Sequence, residues 1–184
     1  MSDRVSFSKK SIISLLLCVV FIMSMVLGTC GCEKEEEVVL LTGLHHVEIE
    51  VQDYGTICLE LDADSAPITV THFIELANSG YYNGKTFHRI ISNFMIQGGS
   101  IDGAGTSGGA SSIKGEFTLN GVPNYISHTR GTISMARTSI DYNSACAQFF
   151  ICVEDSTNLD GSYAAFGHVT SGMDVVDSIA VNVP

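Results

Sequence analysis

The stretch Lys85 to Ser100, KTFHRIISNFMIQGGS, sets one arginine and one glutamine among large apolar residues. Strand alternation would point Phe87, Arg89 and Ile91 to one face and His88 and Ile90 to the other. Ser92-Asn93 reads as a turn, and Phe94-Met95-Ile96-Gln97 as a second short strand. Arg89 and Gln97 then stand beside Phe94 and Met95. A cation and an amide against an apolar surface are the makings of a binding site. A surface arginine lying over core residues is the plainer reading of the same pattern.

Other chemistries find less support. His45, His46, His72, His88, His128 and His168 are scattered, with no HExxH and no carboxylate–histidine spacing, so no metal site is assigned. GxSxG and the cysteine-protease signatures are absent, which argues against hydrolysis. Gly98 to Gly109, GGSIDGAGTSGG, lacks the G-K-[ST] ending of a phosphate loop; its glycines read as backbone freedom near a ligand. A formal net charge of −11 over 184 residues makes nucleic acid a poor partner. Of six cysteines, Cys58, Cys146 and Cys152 lie in the body, with neither CxxC nor regular spacing. That argues against a disulfide framework or zinc site, and Cys58 and Cys152 read as small buried hydrophobes.

The elements that must position Arg89 and Gln97 follow from periodicity. His46 to Val51 and Thr56 to Leu61 alternate cleanly and form a hairpin. Asp64 or Ser65 is read as the cap of a helix with Pro67 in its first turn and Gly80 at its end. Val70, Phe73, Ile74 and Ala77 give that helix its apolar face. His128 to Ala136 leads into a strand, Gln148 to Val153 is a central one, and Ala164 to Phe166 begins another. Met173 to Ile179 reads as a second helix with Val175, Val176 and Ile179 inward. Many short antiparallel strands with two isolated helices predict a mainly β fold, a closed barrel capped at its ends.

The N-terminus is of another kind. Arg4, Lys9 and Lys10 precede an uncharged apolar run from Ile12 to Leu27, the pattern of a secretory signal. Gly28-Thr29-Cys30-Gly31-Cys32 resembles the lipobox of bacterial lipoproteins. Gly31 before Cys32 fits better than Thr29 before Cys30, so Cys32 is the expected lipidation site. An uncleaved membrane anchor is the alternative. Residues 1–32 are then the signal, 33–44 an acidic linker and 45–184 the domain, which is expected outside the cytoplasm and tethered to a membrane.

FHRIISNFMIQGG is similar to the FHRII-x-x-FM-x-QGG signature of the cyclophilin-type peptidyl-prolyl isomerases. GTISMAR at Gly131 to Arg137, AQFFI at Ala147 to Ile151 and LDGSYAAFGHVTSGMDVVD at Leu159 to Asp177 follow in that family's order. The resemblance covers roughly His46 to Ile179. It implies an eight-stranded barrel with two helices, an isomerase of X-Pro bonds that needs no cofactor or metal, and a monomer whose partners are proline-containing polypeptides. It also implies roles. Arg89 is the catalytic cation. Phe94, Met95, Phe150 and Leu159 line a slot for the proline ring. Gln97 binds the substrate backbone and Gln148 borders the site, while the backbone at Ala136-Arg137 runs beside the peptide. Asn158 stands where many eukaryotic members carry tryptophan and Tyr163 where they carry histidine, so weaker binding of cyclosporin is expected. Tyr163 can still wall the pocket. The family's last strand follows the second helix; here it is missing, which would leave an exposed edge.

Overall fold

The computed structural model describes residues 39–106 and 108–182. The leader, Cys30, Cys32 and the EKEEE segment lie outside them. In chain order the elements are β1 (Leu44–Val51), β2 (Gly55–Asp62), α1 (Pro67–Asn78), β3 (Phe87–Ile91), β4 (Met95–Gly98), β5 (Thr132–Met135), β6 (Phe149–Cys152), β7 (Ala165–Ser171) and α2 (Met173–Asn182). The strands form one antiparallel sheet of seven in the order β1-β2-β7-β5-β6-β4-β3. Strand β6 is an interior strand, paired with β4 on one side and β5 on the other.

The sheet curls without closing. β1 and β3 are its two edges, so among the described residues the closed barrel is replaced by an open one. No described strand fills the seam between β1 and β3. A groove of about 790 Å³ opens there, lined by Val47, Ile49, Val51, Phe87, Ile90 and Ile179 among others.

Inside the curl, Phe73 of α1 packs its ring 5.5 Å from Phe149, 5.2 Å from Phe166 and 5.0 Å from Tyr82. Val175, Val176 and Ile179 of α2 are buried in the same core, as their spacing predicts. The folded body also reaches further back than His45. The Leu41 N–H donates to Thr71 Oγ1 at 2.9 Å, and the Gly43 carbonyl accepts from Ala63 N–H at 2.9 Å.

The cap of α1 departs from expectation. Ala66 occupies the N-cap position and makes no side-chain cap bond. Asp62, not Asp64, organises the preceding turn by accepting from the backbone N–H groups of Asp64 and Ser65. The free N–H groups of the first turn are met from far along the chain: Glu116, 1% exposed, accepts from Ile68 N at 3.0 Å and Thr69 N at 2.7 Å. A carboxylate there satisfies both the orphan donors and the positive end of the helix.

Candidate active site

Register decides what the outer face of the sheet presents. Arg89 pairs with Gln97, Gln97 with Phe150, and Phe150 with Ser134. Directly opposed residues share a face, so these four form one row across β3, β4, β6 and β5. The neighbouring positions Ile90, Ile96, Ile151 and Ile133 form the matching row on the inner face. The pairing of β3 with β4 shifts between Phe87 and Arg89. That bulge turns Phe87 inward, where it joins the core with Ile90. Simple alternation had placed Phe87 beside Arg89; the extra residue reverses it.

Beside the row lies an apolar cluster separate from the core. Met95 is 1% exposed, Phe150 5% and Cys152 0%, with Phe94, Ala136, Leu159 and Tyr163 packed against them. Tyr163 meets Phe150 edge to face, with ring centroids 5.8 Å apart. The residues named for a proline slot thus come together from β4, β6, the turn before β4 and the segment before β7. Of the two cysteines expected to be buried, Cys152 is, as a member of this cluster, whereas Cys58 is only half-buried. Burial pushes the Cys152 thiol up to about 12, so it is neutral and apolar there. Asn158 is exposed, next to Leu159 in a short 3-10 turn, Thr157–Leu159.

The polar groups are joined in a chain. Arg89 Nη1 donates to Gln97 Oε1 at 3.3 Å, Gln97 Nε2 donates to Gln148 Oε1 at 2.8 Å, and Gln148 Nε2 donates to the Gly105 carbonyl at 3.2 Å. The chain ties the exposed guanidinium to the glycine-rich loop. That loop starts where Gly99 takes φ +84°, and a Cβ there would run into the Ala147 carbonyl. Gln97 is Arg89's one hydrogen-bond partner among the described residues, which leaves most of its five N–H donors open to a ligand.

The Arg137 side chain has a structural part of its own. Its guanidinium lies 4.6 Å from the ring centroid of Tyr163, 4.9 Å from that of Tyr142 and 5.2 Å from that of Phe117. Its Nε and Nη2 donate to the Ser162 carbonyl at 3.0 and 2.8 Å. The side chain is a clamp behind the Tyr163 wall, held by cation–π contact and hydrogen bonds. The neighbouring Ala136 N–H is already donated to the Gln148 carbonyl at 2.9 Å. Spacing alone could not show the clamp, because its three rings come from separate segments.

The chain matches the family described as cyclophilin type peptidyl-prolyl cis-trans isomerase/CLD over residues 46–183. It belongs to that family. A peptidyl-prolyl cis-trans isomerase of Helicobacter pylori is 45% identical over 127 residues, covering 68% of this chain and 74% of the relative. One from Acinetobacter baylyi is 47% identical over 136 residues, covering 71% and 69%. Among solved structures, a Cryptosporidium parvum cyclophilin-type isomerase crystallised in the presence of the dipeptide Ala-Pro superposes with a TM-score of 0.68 at 29% identity. That match covers 76% of this chain and 87% of the other. The curled seven-stranded sheet with two helices is the cyclophilin architecture, opened along one seam.

Proposed function

We propose that this cyclophilin turns X-Pro peptide bonds between cis and trans with Arg89 as its catalytic residue. The observation that carries the proposal is the outer row, which sets a guanidinium with open donors beside the Met95–Phe150 slot. The uncatalysed barrier is amide resonance, about 20 kcal/mol, and exchange takes tens of seconds. As the bond twists, the prolyl nitrogen loses conjugation and its lone pair becomes an acceptor. A guanidinium donating to that nitrogen binds the twisted state better than either planar one, which lowers the barrier. Phe94, Met95, Phe150, Leu159 and Tyr163 hold the ring. Gln97 has two tasks: it fixes Arg89 and faces the peptide backbone, with Gln148 behind it.

The test is proline exchange catalysed by the purified full chain, with Arg89→Ala alongside and circular dichroism on both. Loss of a donor used only in the transition state should lower kcat/KM by about a hundredfold or more. A folded wild-type chain without acceleration would leave a module that binds proline-containing segments without turning them over. From sequence alone we also infer export and a lipid on Cys32, so that the enzyme meets secreted or surface polypeptides while they fold. Metabolic incorporation of a labelled fatty acid, lost in Cys32→Ser and kept in Cys30→Ser, is the expected result.

A further inference from the structure

Beneath the slot lies a line of hydrogen bonds that the reaction chemistry does not call on. Asp160 Oδ1 accepts from the His128 backbone N–H at 2.7 Å and from its Nδ1 at 2.8 Å, and Oδ2 accepts from the Ser127 hydroxyl at 2.7 Å. On the other side of the ring, His128 Nε2 lies 3.0 Å from Ser134 Oγ. A carboxylate can only accept, so Nδ1 carries the proton and Nε2 accepts from the Ser134 O–H. Burial holds the imidazole below its ordinary value, against the raising influence of Asp160, so the ring stays neutral at pH 7. For Asp160, desolvation works against the charge, but the donors from His128 and Ser127 outweigh it and hold the carboxyl below its usual range.

Serine, histidine and aspartate in this order are the parts of a hydrolytic triad. Here Ser134 and His128 are each 0% exposed, so the hydroxyl cannot meet a substrate carbonyl. The line instead adjoins three of the slot's walls, Leu159, Phe150 and Tyr163. Asp160 follows Leu159 directly. The His128 ring lies nearly parallel to Phe150, with centroids 6.0 Å apart and planes 16° off, and edge-on to Tyr163 at 6.5 Å. Ser134 sits opposite Phe150 in the ladder between β5 and β6. Because both ring nitrogens are bonded, the imidazole cannot rotate without leaving a buried polar group unpaired.

We propose that His128, clamped between Asp160 and Ser134, is a positioning residue that holds Phe150, Tyr163 and Leu159 in line with Arg89. This rests on the isomerase reading of the site. A slot that shifts under the proline ring carries the prolyl nitrogen away from the guanidinium, and small misplacements are amplified in rate.

The experiment compares the full chain with Asp160→Ala, Asp160→Asn and Ser134→Ala, in proline exchange and in binding a short Ala-Pro peptide. The Asp160 side chain is 38% exposed, so replacing it opens no cavity in the core. Asp160→Ala and Ser134→Ala should each lower kcat/KM by roughly tenfold or more, chiefly in kcat, well below their melting temperatures. Asp160→Asn keeps an acceptor for Nδ1–H and should recover most of that loss. Wild-type kcat and KM in the folded alanine variants would overturn the proposal, as would equal losses in Asp160→Ala and Asp160→Asn. Should the wild-type chain itself show no acceleration, the isomerase reading fails, and peptide affinity decides the rest. The same order of variants in affinity upholds the positioning role; equal affinities overturn it.

Discussion

The two rows that run across β3, β4, β6 and β5 use the same strands and the same register, yet they are built from different materials. The inner row is Ile90, Ile96, Ile151 and Ile133; the outer is Arg89, Gln97, Phe150 and Ser134. The inner row needs only burial and close packing. On the outer row each polar side chain is tied to a neighbour: Arg89 to Gln97, Gln97 to Gln148, Ser134 to His128. One face holds the fold together and the other carries the linked polar groups of the proposed site. The pleat makes this possible, since adjacent residues of one strand can serve the two ends separately.

The comparison breaks if either face can be disturbed without showing its own signature. The largest effect belongs to the inner row. Ile151, 0% exposed, replaced by alanine should lose about 2–5 kcal/mol in urea denaturation. Turnover per folded molecule should remain near wild type. On the outer row, Gln97→Ala should do the reverse: kcat/KM falls roughly tenfold as Arg89 loses its anchor, while the urea midpoint hardly moves. A Gln97→Ala enzyme that melts early yet turns over normally would erase the distinction.

The smallest effect sharpens it through pH. Burial lowers the His128 value in the folded state from an ordinary 6.5, despite Asp160. Below about pH 6.5 the unfolded chain therefore binds a proton that the folded chain refuses, so stability falls as pH drops. The contribution is complete above that pH and is lost progressively towards the lower folded value. Urea midpoints measured at about pH 7.5 and about pH 5.5 should differ less in His128→Gln than in the wild-type chain.

Much of this was legible in the sequence. The hairpin, both helices and the strand at Phe149–Cys152 follow from periodicity, and the apolar set Phe94, Met95, Phe150, Leu159 and Tyr163 from the resemblance to the family's motifs. What escaped depends on residues distant in the chain. The bulge that turns Phe87 inward leaves the hydrophobic pattern unchanged, so alternation could not show it. The Arg137 clamp gathers Phe117, Tyr142 and Tyr163 from three segments. His128, Ser134 and Asp160 were three scattered polar residues until the sheet stacked them. Of these, Ser134 and Asp160 stood inside quoted motifs, GTISMAR and LDGSYAAFGHVTSGMDVVD, with no role attached to either.

The carboxylate of Glu116 has a consequence for the order of assembly. A helix finished by its own cap can form early, from local contacts alone. Here α1 receives its N-terminal acceptors from 48 and 47 residues downstream. Asn124 in turn donates to the Glu116 carbonyl and to Ala165 of β7, each at 2.8 Å. The first turn of α1 is thus completed only once the segment that carries Glu116 has docked. In refolding followed by hydrogen exchange, the amides of Ile68 and Thr69 would acquire protection with the closing of the sheet, and the middle of the same helix ahead of them.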